Sequence, residues 1–204
     1  MAKVDFKKIR SALYRPSSAA FSLIDVPPMM FLMIDGAGDP NVEPAYAQAI
    51  SWLFSMAYAL KFSARANLRK DYVVPPLEGL WDADDPADFV ARRKNRWRWT
   101  MMIMTPDFVR PEMFAQALEK TRAKFGDPPR SLRLERFSEG PSLQILHIGP
   151  YDDEGPTLAR LHNDEMPARG LTFNGRHHEI YLSDARRTLP NKLKTILRQP
   201  VRDR

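Results

Sequence analysis

One stretch combines residue types that can do chemistry with a spacing that presents them together: Gly175–Asp184, GRHHEIYLSD. Its composition reads as a β-strand. Alternation then sends His177, Glu179, Tyr181 and Ser183 to one face and His178, Ile180 and Leu182 to the other. The second face is ordinary core material apart from one imidazole. The first places a carboxylate two residues from a tyrosine, with no charge partner in the same strand. Such a carboxylate either meets water or sits where its charge is used.

A used carboxylate has two roles open to it. Among aromatic rings it favours a cation placed over them, by charge and by cation–π attraction. Buried, its pKa rises and it becomes a general base. The chain supplies rings for either role. Trp97 and Trp99 share one face of a second strand, and Tyr46, Tyr58, Tyr72, Tyr151 and Tyr181 add rings with polar tips. The same rings serve equally well as core packing.

Sharper signatures are missing. His177 and His178 are adjacent, so a strand points them apart, and no H-x-x-x-H spacing exists; no metal is expected. No G-x-S-x-G marks a nucleophilic serine. Gly36-Ala-Gly-Asp-Pro lacks the G-K-[ST] of a phosphate loop and reads as a turn. No cofactor is expected.

The elements that must position these residues follow from punctuation and periodicity. Residues 1–28 read as an irregular lead broken by Pro16, Pro27 and Pro28. Met29–Asp35 is strand-like. Pro44 opens a helix to about Ala64, with Tyr46, Ile50, Leu53, Ala57 and Leu60 as its stripe. Tyr72–Trp81 is extended but carries two prolines, which predicts an edge or bulged strand. Asp82–Lys94 is a charged loop with a helical turn in prospect, and Arg96–Thr105 is a strand. A helix runs from about Pro111 to Gly126, with Met113, Phe114, Ala117, Leu118 and Phe125 inward. Strands follow at Leu132–Phe137 and Leu143–Ile148. Asp152 or Asp153 is the expected N-cap of a helix over about 154–166. The Glu179 strand comes next, and Leu189–Val201 is compatible with a strand or a helix.

The chain has 204 residues, 44% of them hydrophobic, and no cysteine, so a substantial core is possible and disulfides are excluded. Charges at Lys3, Asp5, Lys7, Lys8 and Arg10 with no apolar run behind them argue against a signal peptide and for the cytoplasm. Ala45–Leu60 is uncharged but too short and polar to span a bilayer, so no membrane association is expected. The net charge of +6 permits nucleic-acid binding. No reader motif lies near the basic clusters at Arg92–Arg98 and Arg186–Arg204, so no specific nucleic-acid partner is expected.

Residues 29–105 and 142–204 share one element order, strand–helix–strand–strand, if the last segment is a strand, with 106–141 as a connecting helix and strand. Each has a glutamate in the strand after its helix, Glu78 and Glu179. Two such halves predict an α+β fold with a pseudo-twofold axis and a central ligand groove. The motifs HIGPYDDEGPTLARLH (147–162) and GRHHEIYLSDARRTLPNKLKTILRQPV (175–201), with YVVPPLEGLW (72–81) and RWRWTMMIM (96–104), resemble the GyrI-like small-molecule-binding domain. The resemblance implies a domain over 29–204 built of tandem β-α-β-β repeats. It implies a small-molecule ligand, aromatic or cationic, as in the effector domains of multidrug-responsive activators. Some stand-alone members are hydrolases that open strained cyclopropanes, which leaves a detoxifying hydrolase as the alternative. A protein-sequestering module is a third class.

Carried over residue by residue, Glu179 stands at the family's pocket glutamate, and Tyr151 in the G-x-Y-D motif, here G-P-Y-D. Trp99 and Glu78 match motif positions. The expected ligand-binding set is therefore Glu179, Glu78, Trp99, Trp97, Tyr151 and Tyr181, with Glu179 and Tyr151 catalytic if the protein is an enzyme. Only about 28 residues precede the first strand, too few for the DNA-binding region of the activators, which predicts a free-standing effector-type protein.

Overall fold

Prolines and glycines punctuate a chain of short strands and three longer helical stretches. The computed structural model describes residues 2–85, 88 and 91–204. In chain order the elements are β1 (Lys3–Val4), α1 (Phe6–Ile9), α2 (Ser11–Tyr14), β2 (Ser22–Val26), β3 (Met29–Ala37), α3 (Pro44–Asn67), β4 (Asp71–Tyr72) and β5 (Leu77–Ala83). They continue with β6 (Trp97–Thr105), α4 (Pro111–Phe125), β7 (Arg133–Phe137), β8 (Gly140–Ile148), α5 (Gly155–Arg160) and α6 (Met166–Ala168). Last come β9 (Leu171–Phe173), β10 (His177–Tyr181) and β11 (Lys194–Asp203). The class is α+β, with antiparallel pairing in the larger sheet and a short parallel pair, β1 with β4. No helix among the described residues is long and apolar enough to cross a membrane.

Two units divide the chain. The first comprises Met1–Ile9 and Met29–Phe137, the second Arg10–Pro28 and Ser138–Arg204. The stretch expected as an irregular lead is thus structured, and its parts go to different units. Its prolines lie between elements and leave α2 and β2 intact, with Pro16 between them and Pro27 and Pro28 after β2. The helix and strand read as a connection, α4 and β7, belong to the first unit.

In the first unit the strands run β7-β3-β6-β5, all antiparallel. Two prolines separate β4 from β5 where one bulged strand was expected; Pro lacks the N–H a continuous ladder needs. The helical turn expected within Asp82–Lys94 falls partly outside the described residues. β6 is buried on both faces from Trp99 to Thr105, so its side chains read as a nearly continuous apolar run. α3 packs on β3, β6 and α4. Its buried stripe includes the expected Leu53, Ala57 and Leu60 and is completed by Ala49, Trp52, Met56 and Ala64; Tyr46 and Ile50 are half-buried. Lys61, the first charge after the uncharged run, is buried and pairs with Asp71 and the Tyr72 carbonyl, which ties β4 to α3.

In the second unit the order is β2-β8-β11-β10, with β9 on β11. The closing segment is a strand. Pro200 falls between the stretch of β11 paired with β10 and the stretch paired with β9. Phe21, Leu143, Ile145, Leu161, Met166, Leu171, Leu197 and Val201 form the apolar core. On the other face of the sheet lies a buried polar network. Arg198, 1% exposed, donates from Nη1 to Glu139 Oε2 (3.1 Å), from Nε and Nη2 to Gln144 Oε1 (3.1 and 3.0 Å), and from Nη2 to the Leu13 carbonyl (2.8 Å). His178 Nδ1 lies 2.8 Å from Glu139 Oε1, and Gln144 Nε2 donates to the Ala12 carbonyl at 2.7 Å. Burial alone would raise the Glu139 pKa, but His178 and Arg198 outweigh it and hold the carboxyl below its ordinary value.

Two predictions follow from these packings. Arg198→Met leaves Glu139 buried with its main cation gone, and should cost about 3–5 kcal/mol. The urea midpoint reads this, and an unchanged midpoint refutes it. Because the folded pKa of Glu139 is depressed, its stabilising contribution is complete above the unfolded carboxylate range. It is lost as pH falls through the lower folded value, so Glu139→Gln should flatten the acid limb of stability against pH. The second prediction concerns Gly36, which stands opposite Trp99 in the β3–β6 register. A Cβ there would stand 2.1 Å from the nearest carbon of the Trp99 ring. Gly36→Ala should therefore displace the indole at a cost of about 1–3 kcal/mol and alter the near-ultraviolet circular dichroism. A native spectrum and unchanged stability would contradict this.

Candidate functional site

β10 positions the candidate site by simple alternation. His178 and Ile180 are fully buried, while His177, Glu179 and Tyr181 are half-buried on the opposite face. Cross-strand partners share a face. Glu179 pairs with Leu197, and Leu197 with Ile145; Tyr181 pairs with Thr195, and Thr195 with His147. Glu179 therefore stands beside Leu197 and Ile145, two members of the apolar core.

The Glu179 side chain is 15% exposed. Oε2 accepts a hydrogen bond from the Tyr181 hydroxyl at 2.7 Å, and Oε1 lies 3.5 Å from His177 Nε2. No lysine or arginine among the described residues pairs with it, in contrast to Glu139 on the other side of the same sheet. This mostly buried carboxyl group has a hydroxyl and an imidazole as its neighbours.

Tyr151 completes the ring set. It opens a 3-10 turn, Tyr151–Asp153, directly after Gly149-Pro150, and its ring meets Tyr181 edge-on at 5.7 Å and 82°. Gly149 has φ 144°, a conformation glycine adopts freely, and this sharp exit from β8 returns the chain toward β10. Burial first, then the negative charges of Glu154, Glu179 and Asp184, push the Tyr151 pKa up to about 12. The hydroxyl thus stays protonated at neutral pH and serves as a donor, while the ring remains 39% exposed.

Asp152 and Asp153 do not cap the next helix as expected. They lie within the 3-10 turn, and α5 starts after Glu154, whose side chain makes no capping bond. After α5 the backbone widens into a π turn over Leu161–Glu165. Such turns occur often at functional sites. This one carries His162, whose ring meets Phe173 edge-on at 5.0 Å. Burial, with a smaller contribution from His177, lowers the His162 pKa to about 4. Neither His162 nor the link between His177 and Glu179 was legible as a site feature. The π turn has no sequence signature, and the pair His177-His178 draws attention to metals instead. Among the described residues no three His, Asp or Glu side chains group as a metal site.

The remaining candidates, Glu78, Trp97 and Trp99, belong to the first unit. Trp99 is 1% exposed and packs on Gly36, with Tyr46 edge-on at 5.2 Å. Trp81 is its cross-strand partner and meets Trp97 at 5.7 Å. Trp97 is half-buried, with Nε1 3.4 Å from the Asp88 carbonyl. Glu78 on β5 is fully buried opposite Met102. The structure thus places Glu179, Tyr181 and Tyr151 together in one unit and the tryptophans together in the other. Two concavities lie elsewhere. One of about 450 Å³ is lined by Asp84, Asp85, Asp88 and Arg96. The other, about 390 Å³, is lined by residues including Leu23, Leu171 and Val201.

Comparison with known proteins shows the family. The model of the GyrI-like small molecule binding domain covers residues 19–202. An uncharacterized conserved protein from Listeria innocua is 41% identical, with 98% of this chain and 100% of that one covered and a TM-score of 0.89. A hydrolase from Listeria innocua is 40% identical over 98% of this chain and all of its own, with a TM-score of 0.84. The EcmrR C-terminal domain, 11% identical, covers 91% of this chain and 98% of its own with a TM-score of 0.57, and shares the fold. No curated protein matches. With the family model spanning nearly all of both units, the chain belongs to the GyrI-like small-molecule-binding domain family.

Proposed function

We propose that the protein binds small aromatic cations on the Glu179 face of β10, with Tyr181 and Tyr151 as the neighbouring rings. The observation that carries the reading is the state of Glu179: a side chain only 15% exposed, no lysine or arginine partner among the described residues, and an apolar surround. A cationic ligand supplies the missing countercharge, and the tyrosine faces add quadrupole attraction. Glu78, Trp97 and Trp99 remain in the proposed ligand set as residues of the first unit, with Trp97 the most exposed of the three.

A second reading is favoured by the hydrolase relatives at about 40% identity. Here Glu179 is the general base toward water and Tyr151, held protonated, is the proton donor. On a cyclopropane conjugated to a carbonyl, water oxygen bonds to the ring carbon and the strained C–C bond breaks. Its electron pair passes to the carbonyl oxygen. Glu179 takes the proton from water, and the Tyr151 hydroxyl protonates the product.

Glu179→Gln keeps the shape and removes the charge. For binding, the affinity of ethidium, a planar aromatic cation, should fall about thirty- to a hundredfold, roughly 2–3 kcal/mol, while a neutral ring system loses much less. For catalysis, turnover of a carbonyl-conjugated cyclopropane should fall about a hundredfold or more with little change in binding. The disappearance of substrate over time separates the two, since a binder saturates at one equivalent. Unchanged affinity and turnover would refute both. Glu78→Gln is the comparison expected to be mild.

A further inference from the structure

His177 plays no part in either reading, yet its surroundings are unusual. It shares the face of Glu179 two residues away, with Nε2 3.5 Å from Oε1. That separation is too long for a hydrogen bond. Both ring nitrogens are buried, and neither has a hydrogen-bond partner among the described residues. Buried polar atoms in this condition are few in native proteins and each is costly. A charged imidazole so placed pairs with Oε1 through a charge-assisted contact.

The surroundings decide which histidine can carry the charge. His162, on the π turn, also has a buried Nε2 without a partner and repels a charge on His177. Two imidazoles this close do not both ionise, and His162 remains neutral in the physiological range. The other titratable groups of the second unit around this face include Glu179 and Tyr181 on β10, His147 on β8 in line with Thr195, and Tyr151, Glu154 and Asp184 at the Tyr181 end. The β11 residues on the same face, Thr195, Leu197 and Gln199, carry no charge. Glu179 is the carboxylate that the structure places beside His177, with Oε1 3.5 Å from Nε2.

We infer that His177 is a specificity-determining residue of the ligand site, an internal cation that competes with a bound ligand for Glu179 Oε1. This rests on Glu179 being the ligand's countercharge. With the imidazole neutral, the face is anionic and takes aromatic cations. With the imidazole charged, the ion pair closes within the protein and the preference shifts to neutral aromatics. Cationic ligands are held at neutral pH and released in acid.

The test uses the whole chain, ethidium as the cation and phenanthridinone as a neutral ring system of similar shape. His177→Lys installs a permanent charge, and the ratio of ethidium to phenanthridinone affinity should fall about tenfold or more against the native protein. His177→Gln cannot titrate. The native protein should lose ethidium affinity as the pH falls, and His177→Gln should show a flatter profile. An unchanged ratio in His177→Lys, or parallel acid profiles for the native protein and His177→Gln, overturns the inference. Glu179→Gln separates the levels. If it weakens ethidium while His177→Lys does not, only the competition fails; if it has no effect, the ligand site itself is elsewhere and both readings fall.

Discussion

The second unit is organised around one buried ion pair, Arg198 with Glu139. Each ion loses several kcal/mol of solvation on burial, and such a pair is tolerable only when its remaining donors and acceptors are satisfied. Here they are. The guanidinium serves Glu139, Gln144 and the Leu13 carbonyl, and the second carboxylate oxygen faces His178. The consequence for the site is geometric. His178 sits on β10, so its commitment to Glu139 fixes which way that strand faces. A slip of one residue would turn His177 or Glu179 toward Glu139 and carry His178 to the opposite face. The network on one face thereby sets the register that presents Glu179 on the other.

The same network explains why the first 28 residues resist a sequence reading. They have no periodic apolar pattern, and three prolines interrupt them. Their order comes from long-range partners: the Ala12 and Leu13 carbonyls accept from Gln144 and Arg198, and the Leu146 N–H donates to the Ser17 carbonyl. Contacts made across more than a hundred residues leave no local signal. β2 then pairs along β8 from Ser22 to Val26.

What was legible is what local chemistry dictates. Pro44 and Pro111 mark the first turns of α3 and α4, and the alternation of β10 gave the two faces its burial shows. Family motifs supplied Glu179 and Tyr151. Three things were not legible. The closing segment was open between strand and helix because Pro200 argues against a central strand; it is accommodated at the change from β10 to β9 pairing. The aspartates before α5 looked like caps but belong to a turn of their own. His162 reaches the site on a π turn, a local widening that periodicity does not report.

Two glutamates of the second unit make the functional argument by contrast. Glu139 is 7% exposed and has an arginine, with a histidine on its other oxygen. Glu179, its side chain 15% exposed against 1% for Glu139, has a tyrosine hydroxyl and a histidine 3.5 Å away. The chain is rich in cations, with 31 lysines and arginines, so a countercharge for Glu179 was available to the sequence. Places where a chain breaks its own rule of compensation, while meeting it one residue away on the same strand, are where function is expected to lie. On the proposed reading, a positive ligand supplies what this carboxylate lacks, beside the exposed tyrosine area of Tyr151.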